Sequence, residues 1–464
     1  MNLYENIKNF IQQLWTKKSE QEFQYHLPER NLGYIETALS IYSNDPPWLE
    51  DDVKTIGMAR TICGEIARLT TMNIEIKAEG SARANYIEQI LETNIIPKIR
   101  QWVETACAAG EVVIKPNGDT IDMLLPTQYE IVEELNGDIK KIVFLDDYYD
   151  AKERKWYTRL EYHELDRENH YHISNRCYKG SQEYAFTTPV NIEDTRWNGL
   201  AEDIDVQGVE KVLCGLLRIP GANNISIGSD SGLPVFSDAI SELQDLDTAY
   251  SRMNNEVYDS KKIVLLDSDR FMTGGQKLTR DKTALKKQYH MPDYVRVVEG
   301  GDEPFYQEIT PVMQTADRIQ GINLLLSQIG FKCGFSNGYF VFNEQTGLIT
   351  ATQVESDDRR TLQTISDLRD ALEHCINDLV YALDKLADAY KLAPRGTYEI
   401  TYDMQDLTQN HEEDSQKWWA FVQGGYVPFW YYLVRCEGLT EDEAKQIEAM
   451  GKQDEELELE DEEE

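Results

Sequence analysis

The chain has 464 residues, too many for one ordinary hydrophobic core, and 41% of them are hydrophobic, enough to fill two to four lobes. Its 83 Asp and Glu against 46 Lys and Arg leave a formal net charge of −37; such a surface repels phosphates, which excludes bulk attraction as a way of handling DNA or RNA. The seven cysteines include no C-x-x-C pair, which speaks against a zinc ribbon or disulfide framework and for a reducing cytosol, and no run of about 18 apolar residues exists to span a membrane.

The first stretch, Met1 to Lys18, reads as an amphipathic helix with Leu3, Ile7, Phe10, Leu14 and Trp15 on one face. Glu5 and the lack of a small-residue cleavage site argue against a signal peptide, so this helix is expected to dock on the protein's own body. Residues 31 to 44 predict a short helix broken by Asp45-Pro46-Pro47, and about 52 to 70 a second, carrying Met58, Ile62, Ile66 and Leu69. A strand is expected at Met72 to Ile76, then a helix over about 82 to 106 with a break near Pro97.

From Gly110 to Tyr178 the apolar period changes from 3.6 to 2. Turn signals at Pro116-Asn117-Gly118, Asn136-Gly137 and Asp166 to Asn169 separate the runs, which predicts hairpins in series. This antiparallel region lies between helices, so the fold class is α+β. A further strand is expected near Val212 to Ile219, followed by a Gly/Asn/Ser-rich connector from Pro220 to Pro234. Val235 to Tyr258 then carries Phe236, Ile240, Leu243, Leu246, Tyr250, Met253 and Val257 on one helical stripe.

Between about 261 and 305 the chain predicts short strands at Ile263 to Leu266 and Val295 to Val298. It is locally basic. Lys261, Lys262, Arg270, Lys277, Arg280, Lys282, Lys286 and Lys287 face only Asp267, Asp269 and Asp281. Such an island can be a solvated surface, pair with an acidic neighbouring copy, or meet a nucleic-acid backbone.

Thr310-Pro311 opens the next helix, with a cap residue followed by proline at the first helical position. Val312, Ala316, Ile319, Ile322, Leu326 and Ile329 form its stripe. A Gly-rich loop runs from Gly330 to Gly347, where the glycines at 330, 334, 338 and 347 allow positive φ. Asn337-Gly338 could equally close a packed hairpin with Phe340 and Phe342 buried. Thr350 and Gln353 form a T-x-x-Q capping box at the head of a helix that keeps its period almost to Pro394. That is roughly 40 residues, about 60 Å. A strand at Tyr398 to Tyr402, an aromatic helical lobe (Trp418, Trp419, Phe421, Tyr426, Phe429, Trp430) and an acidic tail from Gly451 to Glu464 complete the chain. The tail's composition predicts disorder.

Motifs for chemistry are weak. Val143-Phe144-Leu145-Asp146-Asp147 has the form of a magnesium-holding strand end, but no G-x-x-x-x-G-K-[ST] accompanies it, and Asp146 and Asp147 read more simply as a hairpin end. His170-x-His172 puts two imidazoles on one strand face near His163, yet carboxylates are so abundant here that they discriminate nothing. No metal, cofactor or catalytic residue is expected, and the chain is not read as an enzyme.

The loop and long helix resemble the portal proteins of tailed bacteriophages, especially those of siphophages infecting Gram-positive hosts. The residues carrying this are Gly334-Phe335-Ser336-Asn337-Gly338-Tyr339-Phe340-Val341-Phe342 and Thr346 through Ser356. The second run looks like the family's G-x-x-T-A-T-x-V-x-S pattern at the start of its longest helix. Family members often carry an acid where Gln353 stands; either residue closes a capping box. Arg159 to His163 with Tyr171 to Asn175 looks like the β-rich wing, and Pro220-Gly221-Ala222-Asn223-Asn224 with the following helix and Lys261-Lys262-Ile263 resembles the start of the stem. The likeness spans about 58 to 450.

The resemblance implies a homo-oligomeric ring, usually of twelve copies, at one vertex of the capsid. Residues 1–234 would be an α+β wing, 235–260 and 306–330 the two stem helices, and 261–305 a small β-containing clip. Residues 331–349 would be the tunnel loop, 350–410 a long spine helix and strand, and 411–464 a helical crown with its tail. Lys332, Ser336, Asn337 and Tyr339 would face the DNA channel. Arg270, Lys277, Arg280, Lys282, Lys286 and Lys287 of the clip would meet the motor, the connector or DNA. The implied partners are the large terminase, a head–tail connector or adaptor, the major capsid and scaffolding proteins, and double-stranded DNA in transit, with no membrane. The protein would assemble in the host cytoplasm, reside in the virion, and serve both packaging and ejection of the genome. Two other readings remain: a metal-dependent nuclease or hydrolase using Asp146, Asp147 and His163, and a non-portal capsid or baseplate component.

Overall fold

The computed structural model describes residues 32–50, 53–118, 120–166, 168–183, 186–259, 263–267, 294–298, 306–309, 314–342, 351–404, 411–437 and 443–449. The N-terminal helix, most of the basic segment, the Thr350 half of the capping box and the acidic tail lie outside them. The chain divides into two compact units after Asp403. The described residues mix helix and sheet in an α+β arrangement.

The first unit begins with helices α1 (Leu32–Tyr42) and α2 (Met58–Thr70). Helix α2 starts later than its apolar period suggests, because Gly57 stands in the left-handed region (φ 72). Strand β1 (Glu75–Gly80) is displaced C-terminally from the expected 72–76 by a turn in which Asn73 takes φ 51. Helix α3 (Ala82–Ile90) runs through a π-helical turn, Leu91–Ile95, into α4 (Ile96–Ala109). The break foreseen near Pro97 is that turn, and Pro97 follows it directly, where the π turn lets the helix continue past a residue with no N–H.

Strands β2 (Glu111–Asn117), β3 (Thr120–Leu124) and β10 (Gly215–Arg218) make a three-stranded sheet in the order β10-β2-β3. Strands β4 (Tyr129–Leu135), β5 (Asp138–Asp150), β6 (Lys155–Leu165), β7 (His170–Gly180) and β8 (Thr188–Val190) form a second sheet in sequence order, and β9 (Asp203–Gln207) also pairs with β7. Asp146 and Asp147 lie within β5, paired with Arg159 and Thr158 of β6, and not at a hairpin end. Strand β8 has three residues, too few for a period-2 reading; β9 does alternate over Asp203 to Gln207, although no strand is expected there.

Helix α5 (Ile240–Asp259) leads to a small sheet of β11 (Ile263–Asp267), β12 (Tyr294–Val298) and β13 (Tyr306–Ile309). Strand β11 is central, parallel to β12 and antiparallel to β13. Helix α6 (Thr315–Lys332) follows, then α7 (Ala351–Tyr390), which has 40 residues, then β14 (Tyr398–Asp403), which pairs antiparallel with β1. The body built by residues up to 234 is therefore closed by chain from beyond 350.

Helix α7 organises this core. Ile365, Leu368, Leu372, Cys375, Leu379 and Leu383 are buried along its stripe, each worth about 1.5–3 kcal/mol for the larger aliphatics. Gly215 of β10 lies against it so closely that a Cβ would stand 2.4 Å from the Cys375 carbonyl oxygen. One turn and more further on, Ala382, Tyr381 and Leu386 pack on the face of the larger sheet that carries Tyr129, Ile142, Phe144 and Tyr171. The C-terminal end of α7 is held by Arg83, 1% exposed, which donates to the carbonyls of Asp384, Ala393 and Pro394 and to the Asp388 carboxylate. The Ala393 and Pro394 carbonyls lie beyond the last turn of α7 and have no helical partner of their own.

The second unit consists of α8 (His411–Gln423), α9 (Phe429–Glu437) and a turn of helix at 443–449. Its aromatics pack on one another: Trp418 meets Phe421 and Tyr431, and Trp419 meets Phe429 and Tyr432. No described helix is long and apolar enough to cross a membrane.

Candidate functional site

Helices α5 and α6 lie side by side and run in opposite directions. Near the start of α5, Glu242 takes the ammonium of Lys332, the last residue of α6, at 2.6 Å. Near the end of α5, Glu256 pairs with Arg318 at the start of α6 and accepts the Gln314 N–H at 2.9 Å. The same number of residues separates the two acids as the two bases, about four turns of helix. These exposed pairs contribute little stability; their matched spacing fixes the register. Lys332 holds the Glu242 carboxyl below its usual range. Leu243 and Leu246 of α5 and Ile322, Leu326 and Ile329 of α6 are buried along the hairpin.

Residues 46–50 and 53–57 lie along α5 as a strap. The buried Asp247 carboxylate accepts the Trp48 indole N–H and the Ile56 N–H, and Ser251 Oγ accepts the Lys54 N–H. By helical geometry Asp247 and Ser251 lie on the side of α5 opposite Glu242 and Glu256.

The loop after α6 folds onto its own hairpin. The N–H of Phe335 reaches the Gly330 carbonyl and that of Gly334 the Phe331 carbonyl, the paired bonds of a Schellman ending. Gly334 takes φ 88 there, and a Cβ would stand 2.6 Å from Thr364 Oγ1. Gly338 is also left-handed (φ 85), but Gly330 is helical and leaves room for the Phe340 ring. Phe335, 1% exposed, gathers Tyr339 and Phe340 around it.

Four side chains expected at the channel fall in this region. Lys332 is exposed, but its ammonium is taken by Glu242 and by the Asp238 carbonyl at 2.8 Å. Ser336 is 5% exposed, and both its N–H and its hydroxyl engage Thr361 of α7, which removes it from the surface that a passing strand could touch. Asn337 is exposed. Tyr339 is half exposed and donates its hydroxyl to Glu65 of α2 at 2.5 Å; burial and that acceptor push its pKa up to about 12. Arg270, Lys277, Arg280, Lys282, Lys286 and Lys287 lie outside the described residues.

Asp146, Asp147 and His163 do not converge. Asp146 and Asp147 alternate to opposite faces of β5, and the register places His163 opposite Ile142, four residues along the strand from Asp146. The Asp146 carboxylate is occupied by Arg196 at 2.5 Å and by the Trp197 indole at 2.7 Å. His170 bonds Asp166, and His172 bonds Asp205. Among the described residues no group of three or more His, Cys, Asp or Glu side chains is placed to hold a metal.

His163 instead belongs to a buried charged row that single residues did not betray. Glu161 accepts from Lys115 at 2.5 Å, from Arg159 at 2.9 Å and from His163 Nε2 at 2.8 Å. His163 Nε2 faces the Glu161 carboxylate and so carries a proton; the buried ring, kept neutral, accepts the Tyr171 hydroxyl at Nδ1, 2.5 Å away, while that hydroxyl accepts the Leu213 N–H. Burial lowers its pKa against the pull of Glu161. The unfolded imidazole takes its proton near 6.5. Between the folded and unfolded values the unfolded chain binds more protons, so stability is lost as pH falls below about 6.5. Thermal unfolding at pH 7.5 and 5.5 is expected to show the lower Tm at 5.5, and His163→Gln is expected to lose that part of the difference. An unaltered pH dependence in the variant would contradict the neutral imidazole.

No known protein family matches the chain, and no curated protein does either. Solved structures that the chain is similar to include two from a gene transfer agent particle. A chain of the virion of a native gene transfer agent particle is 10% identical, with 95% of this chain and 99% of that one covered at a TM-score of 0.45. A chain of the neck of the native particle, computed with C12 symmetry, is 9% identical, with 87% and 98% covered at a TM-score of 0.43. Scores under 0.5 mark a likeness of overall path, and neither bears on what this chain does.

Proposed function

We propose that this chain is a portal-type subunit: many copies form a ring whose central channel conducts double-stranded DNA into and out of a capsid. The observation that carries this is the α5–α6 hairpin. Two antiparallel helices, pinned in register at both ends, lead at one end to a small sheet and at the other to a folded loop anchored on a 40-residue helix. The residues that resemble the portal pattern, 334–356, span that loop and the head of that helix.

The physics of a conduit fits. DNA must slide, so a negative wall keeps phosphates hydrated, and contacts must be few and weak. Asn337 and the clip residues Arg270, Lys277, Arg280, Lys282, Lys286 and Lys287 are the proposed contacts with DNA, a packaging motor or a connector. Lys332 serves as a clamp between the helices, since its charge is already met. Energy for movement would come from a separate ATPase. The hydrolase reading has no assembled residues to support it.

Native mass in dilute solution tests the proposal. A closed ring of about a dozen 53.6 kDa chains is expected. A chain that stays monomeric at every concentration refutes it.

A further inference from the structure

Helix α6 carries an exposed strip at steps of four and three residues: Asp317, Gly321, Leu324, Gln328 and Phe331. Leu324 is 61% exposed and Phe331 52%. Phe342, also 61% exposed, stands beside Leu324, because its N–H and carbonyl are both bonded to the Asn323 side chain. Leu324 and Phe331 are thus exposed about two turns apart on one side of α6, with Phe342 exposed near Asn323, and together they are referred to as the knob. Its border is basic: the Arg360 guanidinium lies 3.9 Å over the Phe331 ring, and Arg359 is exposed next to it.

The other helix of the hairpin offers the counterpart. Between the strap and α5 runs a groove of about 460 Å³, lined by Pro47, Trp48, Glu50, Val53, Gln244 and Thr248. It lies on the side of α5 turned away from α6. Glu50 of that lining is exposed, as is Asp245, which follows Gln244 and lies one turn from Thr248; the exposed Lys54 and Arg252 lie toward the Ser251 end.

We infer that the knob of one subunit seats in the strap groove of the next copy, with Arg359 and Arg360 meeting Glu50 and Asp245. This rests on the ring reading and names the surfaces that close it. Two different faces on one subunit make a head-to-tail contact, the type that generates rings. The charge of each border suits the other, which such a contact needs if copies of net charge −37 are to adjoin.

The test uses the full chain and native mass, with thermal unfolding as a check on folding. Arg359→Glu with Arg360→Glu should leave monomers at concentrations where the native chain forms rings, at unchanged Tm. Glu50→Arg with Asp245→Arg should do the same. A chain carrying all four changes should regain rings. Leu324→Gln, which adds no charge and sits on the surface, should weaken assembly at least about tenfold. Rings that persist in either charge-reversed set, or that the four-fold variant fails to regain, overturn the pairing. Rings that persist while Tm falls assign the patch to other residues of the same chain. If the native chain forms no ring, the portal reading itself fails, and that is known before any variant is made.

Discussion

Replacing Arg83 with Met is expected to lower the stability of the unit ending at Asp403 by about 3–5 kcal/mol. Arg83 is 1% exposed and is the shared donor for three carbonyls and one carboxylate at the close of α7. Met fills the space but donates nothing, so the Ala393 and Pro394 carbonyls lose the Arg83 donor and the Asp384 carbonyl is left with its helical bond alone. The Asp388 carboxylate would retain only Arg395, which is largely exposed. The damage would spread, because α7 underlies both sheets and leads into β14. Arg83→Lys should recover only part of the loss, since an ammonium cannot spread its donors over so wide a set of acceptors. Urea unfolding followed by far-ultraviolet circular dichroism measures the effect, and a loss under about 1 kcal/mol would mean that the helix end is satisfied by other means.

Glu161→Gln should cost a similar amount, about 3–5 kcal/mol, for a different reason. Lys115 and Arg159 are 7% exposed each, and Glu161 is the carboxylate they share. Burial opposes its ionisation, but Lys115, His163 and Arg159 outweigh that and hold the carboxyl well below the usual range. With the folded value depressed, its contribution is present above the unfolded value near 4.5 and is lost as pH falls below it. The Gln variant should therefore lose both stability at neutral pH and part of the acid sensitivity below about pH 4.5. Adding Lys115→Met to Glu161→Gln should restore at least about 1 kcal/mol, because it removes a stranded charge. A double variant no more stable than the single one would deny the pairing.

These two sites also mark where sequence reading stops. Lys115 follows Val112-Val113-Ile114 and Glu161 sits among alternating residues, so each looks like an ordinary solvent-facing polar position. Lys115 is on β2 of the three-stranded sheet and Glu161 on β6 of the larger one, so only the packing of one sheet against the other brings them together under cover. The α5–α6 pair and α7 were legible because their apolar stripes persist for several turns. The loop was legible only in part. Its glycines announced a turn, but whether it stands out or folds back depends on Thr361 and Thr364, which are far along the chain. Ser336 was expected at a channel surface and is buried for that reason. Strand β14 was visible as a strand, while its partner β1, more than 300 residues away, carried no local sign of the pairing. Strands β8 and β13 are three and four residues long and too short for a period to register, whereas β9 alternates over Asp203 to Gln207 and was legible but not read.

The account stands or falls on where the hairpin lies in the assembled particle, and a cryo-electron microscopy map of the purified full chain shows this directly. A closed ring with α5 and α6 of every copy around a central hole, and the 333–342 loop level with that hole, is the predicted result. A ring whose hairpins point outward, or a solitary chain with no hole at all, would contradict it.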